Sequence, residues 1–203
     1  MIAISLNDTN LVERALLFST EKHLGSKRKF SDDPYIIHPT RIAAKVALWD
    51  GTADMIAAAF LHDTVEDCEV THEEIKEKFG QEVSDIVRGL TNAPKTSGNR
   101  KLRKTIDLQR LMNADWRVQT IKVLDIDDNS NTMCEGDPHY APIWLKECLL
   151  ILDSFTKVNV NLLDLVKLKI DSMYDAFLTD NESKVFSDDS WKKIIETLNK
   201  TKK

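Results

Sequence analysis

His62 and Asp63 directly follow the uncharged run Ile56-Ala57-Ala58-Ala59-Phe60-Leu61, and Glu66 and Asp67 come four residues after them. If residues 53 to 67 form one helix, the run is apolar on every side and belongs inside a bundle, and the chain turns polar where it leaves the core. Spacing of i, i+4 then pairs His62 with Glu66 and Asp63 with Asp67 on adjoining strips. A divalent ion held by His62 and Asp63 would have Glu66 and Asp67 beside it, placed to steer or deprotonate a water. That is the chemistry of a hydrolase. The competing reading is a solvated charge cluster at a helix end, the usual fate of a histidine beside an aspartate. Its position at the edge of a buried segment argues for the metal, because stacked ionisable groups there cost stability unless a cation or partner compensates.

Two more positions join the pair. His38 follows Ile36-Ile37 and precedes Pro39, so it is the candidate third ligand, with a capping or surface histidine as the alternative. Asp125 follows the apolar Leu124 at the end of the helical pattern Asp115 to Asp125, which repeats the ending of the 53–67 segment. Beyond it, Ile126-Asp127-Asp128-Asn129-Ser130-Asn131-Thr132 suits either a metal-and-phosphate pocket or a polar helix exit.

The elements that must position these residues are helical. Asn7 or Asp8 caps a helix carrying Leu11, Ala15, Leu16 and Phe18 to about Leu24, where Gly25 stops it. A loop rich in bases and prolines runs from Ser26 to Pro39. Pro39 suits the first turn of a helix from about Thr40 to Trp49, with Ile42, Val46 and Trp49 inward. Thr71-His72-Glu73-Glu74 is a capping box, and Ile75, Phe79, Val83, Ile86 and Val87 keep helical spacing across a joint at Gly80. After a loop from Ala93 to Gly98, Arg100, Lys101, Arg103 and Lys104 open a helix ending near Met112. That cluster is either a solvated face or a contact for a phosphate arm. The next helix, from Asp115, directs Trp116, Val118, Ile121 and Leu124 inward. Two amphipathic helices cover Pro142 to Phe155 and Val158 to Leu178, and a short last one is capped by Ser190 with Trp191, Ile194, Ile195 and Leu198 on one face. No strand pattern or repeat occurs, so the class is all-α, a helical bundle.

At 203 residues and 42% apolar content the chain is expected to form a single domain over residues 1–203. A net charge of -5 argues against nucleic-acid or anionic-membrane partners, which call for a basic stripe. Cys68, Cys134 and Cys148 are scattered and odd in number, which points away from disulfides and toward a reducing, cytoplasmic setting. The start has no basic signal region, and no stretch approaches the roughly 18 apolar residues of a membrane span. Composition leaves the oligomeric state open.

Lys22-His23, Arg28-Lys29, Pro34-Tyr35-Ile36-Ile37-His38-Pro39, Ala58 through Asp67, Phe79-Gly80, Gly89-Leu90-Thr91 and Asp115-x-Arg117-Val118 through Asp125 together closely resemble the HD-domain hydrolase of RelA/SpoT proteins. The likeness covers about residues 10 to 132, leaving 133 to 203 as a helical extension. It implies an HD-domain bundle in which His38, His62, Asp63 and Asp125 hold one Mn²⁺, a suitable ion for two nitrogens and two carboxylates. It further implies that Glu66 and Asp67 activate the water and manage the proton at the leaving oxygen. Arg28 would lie over the base by cation–π stacking, with Lys29 nearby and Asn129 and Thr132 lining the nucleotide pocket. The implied substrate is a small nucleotide, guanosine 3′,5′-bis(diphosphate) or its pentaphosphate relative, cleaved at the ribose 3′-oxygen to release pyrophosphate. The implied protein is a small stand-alone alarmone hydrolase.

The chain also departs from that family. Where the family usually reads Arg-Leu-His-Asn after the last aspartate, this chain has Ile126-Asp127-Asp128-Asn129, and Asn131 replaces an arginine. Added negative charge beside a polyphosphate site is expected to weaken binding. Alternatives are therefore an adenosine 3′-diphosphate or the 2′-phosphate of NADPH as substrate, or a nucleotide- or toxin-binding module without turnover.

Overall fold

The computed structural model describes residues 6–180, and apart from one isolated antiparallel bridge between Lys27 and Pro34 those residues contain no strand. The chain is all-α. Its helices are α1 (Leu6–Lys22), α2 (Ile37–Leu48), α3 (Ala53–Leu61), α4 (Thr64–Asp67), α5 (His72–Phe79), α6 (Gln81–Leu90), α7 (Arg100–Asn113), α8 (Trp116–Gly136), α9 (Ala141–Ser154) and α10 (Val160–Asp180), with a 3₁₀ turn at Lys95–Ser97. None is long and apolar enough to cross a membrane. The helix expected around Trp191 lies outside the described residues.

Helix α3 is the axis. Every residue from Met55 to Leu61 is buried, so its side chains meet protein on all sides, against α1, α2, α6 and α8. Its start is set by Thr52, whose side chain accepts from the Met55 amide. Its end differs from the unbroken helix expected over 53–67. His62 Nδ1 takes the Ala59 carbonyl at 2.8 Å and Thr64 Oγ1 takes the Leu61 carbonyl at 2.7 Å. Side chains thus claim carbonyls of the last turn, and the helix stops before resuming as the single turn α4.

The flanking helices follow local rules. Gly25, with φ 82, turns the chain after α1. Helix α2 starts at Ile37, earlier than expected, which puts His38 and Pro39 in its first turn, where proline's missing donor costs nothing. Thr71 caps α5 by accepting from the Glu74 amide, Gly80 joins α5 to α6 with φ 93, and Asn99 caps α7.

Helix α8 is the second organiser, touching α2, α6, α7, α9 and α10. Asp115 caps it by accepting from the amides of Arg117 and Val118. It does not end in the polar stretch after Asp125 but runs on to Gly136, roughly 30 Å in all. Val118, Ile121 and Leu124 are buried, while Trp116 is 46% exposed. Trp116 lies about 200° from Val118 around the helix, so it cannot share that stripe.

Ile121 is fully buried whereas Asp115 acts only at a helix end, so the two should differ in cost. Ile121→Ala is expected to cost about 2–5 kcal/mol and Asp115→Ala about 1 kcal/mol in urea unfolding. Partial burial would raise the Asp115 carboxyl, but hydrogen bonds from Arg117 and the Val118 amide hold it below its usual value. A depressed carboxyl stabilises above its unfolded pKa and loses that contribution as pH falls through the folded one. The gap between wild type and Asp115→Ala should therefore narrow in acid.

Candidate metal centre

The first turn of α2, the break after α3 and the middle of α8 meet at one point. His38 Nε2 lies 3.6 Å from Asp63 Oδ2 and 3.3 Å from Asp125 Oδ1, while His62 Nε2 lies 3.0 Å and 3.9 Å from the same oxygens. The imidazole centroids are 5.3 Å apart. Both histidines and Asp125 are buried, and Asp63 is partly so. The four residues named by position in the sequence are brought together.

The other side of each ring is already engaged. His38 Nδ1 pairs with Asp128 Oδ2 at 2.8 Å and His62 Nδ1 with the Ala59 carbonyl, and both partners accept. Each Nδ1 is thereby assigned as a donor, which turns both Nε2 atoms toward the common point. His62 Nε2 is buried there without a hydrogen bond, although an aspartate oxygen is close. Two imidazole nitrogens, one of them buried without a hydrogen bond, and two carboxylates fit a divalent cation. His38, His62 and Asp63 form a group able to hold one, with ligating atoms all within 4.8 Å of one another.

Charge favours a cation as well. Burial alone would lower His62, but Asp63 and Asp125 outweigh it and raise it to about 9. Burial would raise Asp63 and Asp125, yet His62 holds Asp63 down, and Lys122 with His38 holds Asp125 far below the usual carboxylate value. Both acids stay ionised.

Further side chains orient these carboxylates. Tyr35 Oη donates to Asp63 Oδ2 at 2.6 Å, and burial keeps that phenol protonated. Lys122 Nζ reaches Asp125 Oδ2 at 2.7 Å, and Asn129 Nδ2 reaches Asp125 Oδ1 at 2.6 Å. Tyr35, Lys122 and Asp128 escape a reading of spacing alone. The signals for them are the Pro34-Tyr35 motif and offsets of three residues on either side of Asp125.

The expected clash of Asp127 and Asp128 with a polyphosphate is not what the structure holds. Because α8 continues, successive residues fan out by about 100°, so Asp125 and Asn129 face the cleft, Asp127 turns to Lys45 and Lys169, and Asp128 lies behind the His38 ring. Asp127 is paired with Lys45 and Lys169, each at 2.6 Å, and Asp128 with Arg41 at 2.8 Å. Asn131 accepts from Lys169.

The nucleotide-side residues are partly assembled. Arg28 donates to Asn129 Oδ1 at 2.7 Å and Thr132 Oγ1 at 3.4 Å, with its guanidinium carbon 5.7 Å from the Tyr35 ring centroid. Lys29 is not part of that set; it is exposed, with its ammonium 4.6 Å from the Phe30 ring centroid. Glu66 and Asp67 are exposed at the mouth of the site, and Glu66 accepts from the Asn92 amide at 2.7 Å and Asn92 Nδ2 at 3.0 Å. Desolvation, reinforced by the charge of Asp63, raises both carboxyls, so each holds a proton more readily than a free acid.

A cleft of about 240 Å³ contains His38, Asp63, Lys122 and Asp125, and it shares Asn92, Lys104 and Asp107 with a groove of about 800 Å³. Glu66, Asp67, Arg103 and Lys104 all line that groove. Arg100 also lines it but is drawn to Glu147 at 2.7 Å.

With this geometry in view, comparisons with known proteins are informative. The family described as HD domain matches residues 15–128. The chain is 41% identical over 125 residues to the guanosine-3′,5′-bis(diphosphate) 3′-pyrophosphohydrolase of Aquifex aeolicus, covering 60% of this chain and 18% of that protein. It is 36% identical over 132 residues to the GTP pyrophosphokinase rsh of Brucella suis, covering 62% and 18%. The chain thus spans under a fifth of the length of these curated relatives. The solved structure of a metazoan ortholog of SpoT that hydrolyzes ppGpp has the same fold, with a TM-score of 0.72, 22% identity and coverage of 87% of this chain and 98% of that one. The structure of lmo0812 from Listeria monocytogenes matches with a TM-score of 0.59 at 20% identity, covering 68% and 99%. Such a fold implies a divalent metal, for which the group at His38, His62 and Asp63 is suited. With more than half of its length matched and its site residues converging inside that match, the chain belongs to the HD-domain family.

Proposed function

We propose that the chain is a Mn²⁺-dependent pyrophosphohydrolase that removes the 3′-diphosphate of guanosine 3′,5′-bis(diphosphate) and its pentaphosphate relative, leaving GDP or GTP and acting in the cytoplasm. The observation that carries this reading is the convergence of His38, His62, Asp63 and Asp125 on one point, with His62 Nε2 buried 3.0 Å from Asp63 Oδ2. Those four residues would hold the ion, which when bound supplies Lewis-acid polarisation of the phosphoryl group and lowers the pKa of water.

The chain's own residues do the rest. Arg28, fixed by Asn129 and Thr132, offers a flat cation for the purine. Lys29, on the neighbouring surface, approaches the nucleotide from outside. Arg103 and Lys104 in the groove meet the diphosphate. Glu66 and Asp67, with carboxyls raised by their surroundings, exchange protons at the reacting atoms. One takes a proton from the attacking water as its oxygen bonds to phosphorus, the bond between phosphorus and the ribose 3′-oxygen breaks, and a proton is delivered to that 3′-oxygen. The products are a free 3′-hydroxyl and pyrophosphate. The pairing of Asp127 and Asp128 with Lys45, Lys169 and Arg41 offsets the charge they add near a polyphosphate, which supports this reading over an adenine nucleotide or NADPH.

Purified protein with Mn²⁺ is expected to release pyrophosphate from ppGpp and to stop in EDTA. No release at micromolar enzyme, or faster turnover of an adenosine 3′-diphosphate or NADPH in the same panel, overturns the assignment. Glu66→Gln should lower kcat by about 10²–10⁴-fold while calorimetric Mn²⁺ affinity stays close to wild type. Because His62 retains a proton up to about pH 9 without the ion, Mn²⁺ binding must displace it. Affinity should then fall as pH is lowered from 9 to 6, with proton release visible as a buffer-dependent binding enthalpy.

A further inference from the structure

We infer that Asp128, one of the positions where this chain departs from the usual family run, is a positioning residue for the metal ligand His38, an inference that rests on the metal reading above. Its carboxylate is 1% exposed and pairs with His38 Nδ1 at 2.8 Å. Arg41 grips both oxygens, Nε to Oδ1 at 2.8 Å and a terminal nitrogen to Oδ2 at 3.2 Å, and Lys45 stands 3.6 Å from Oδ1. A carboxylate clamped in this way cannot rotate off the imidazole.

Two consequences follow from the chemistry. Asp128 accepts the Nδ1 proton, so His38 keeps its Nε2 lone pair toward Asp63 and Asp125. The carboxylate also fixes the ring orientation from behind, the role expected of such a group on a metal-bound histidine. Arg41 and Lys45 balance the charge, which lets a carboxylate sit in the core without a net penalty at the site. His62 has a neutral carbonyl in the equivalent place. The two histidines are therefore held differently, His38 by a clamped carboxylate and His62 by a backbone carbonyl.

Asp127 supplies the control. It is the adjacent residue of the same helix and carries the same charge, but it pairs with Lys45 and Lys169 and not with His38. Mn²⁺ titration by calorimetry is expected to show binding weakened about 10–100-fold in Asp128→Asn, and at least as much in Asp128→Ala. Asp127→Asn should stay within about threefold of wild type, as for removal of a partly exposed ion pair. At saturating Mn²⁺, Asp128→Asn should regain most of its kcat with KM unchanged.

Equal Mn²⁺ affinity in wild type and Asp128→Asn overturns the inference while leaving the metal site standing, as does an equal loss in Asp127→Asn. Failure of the wild-type protein to bind Mn²⁺ overturns the metal reading and this one with it. Should the variants not fold, nitrogen-15 NMR of the wild-type protein loaded with Zn²⁺ decides. The His38 proton belongs on Nδ1, and a proton found on Nε2 rejects the proposal.

Discussion

Two imidazoles and two carboxylates gathered at the inner end of an apolar helix form an arrangement that water would normally be needed to stabilise. The structure depends on how that demand is met. Each group has a second partner: Asp128 behind His38, the Ala59 carbonyl behind His62, Tyr35 on Asp63, and Lys122 and Asn129 on Asp125. Both Nε2 atoms, Asp63 Oδ2 and Asp125 Oδ1 face one spot, where a residual attraction for a cation is left over. In a low-dielectric surrounding, that residual attraction acts on a cation far more strongly than the same groups would at a surface.

Much of this was legible in the sequence because it rests on local rules. The capping residue Thr71, the glycines that end or join helices at 25 and 80, and the continuous apolar run of α3 each follow from one or two side chains. The four residues at the centre were legible because each ionisable group stood directly against an apolar stretch. The break at His62 was not, since it needs a side chain to compete with the backbone for a carbonyl, a choice that propensity does not record. Nor was the continuation of α8 past Asp125. Its polar residues look like an exit until α2 and α10 are present to receive them, and Lys45 and Lys169 are far away in the chain.

The same long helix explains the division of labour in the molecule. One face of α8 carries Asp125 and Asn129 toward the cleft, another takes ion pairs from α2, and a third packs on α9 and α10. Helix α10 reaches that stretch through Lys169, which touches both the side chain and the carbonyl of Asp127. The segment beyond the family match therefore braces the helix that bears the chemistry.

Ala57, Ala58 and Ala59 have no accessible surface at all. Side chains this short let α1 and α2 approach the α3 backbone closely, and α2 is the helix that brings His38 to His62. The small side chains of α3 thus help set how near α2 brings His38 to His62. Residues with no chemistry of their own fix the spacing of those that have it.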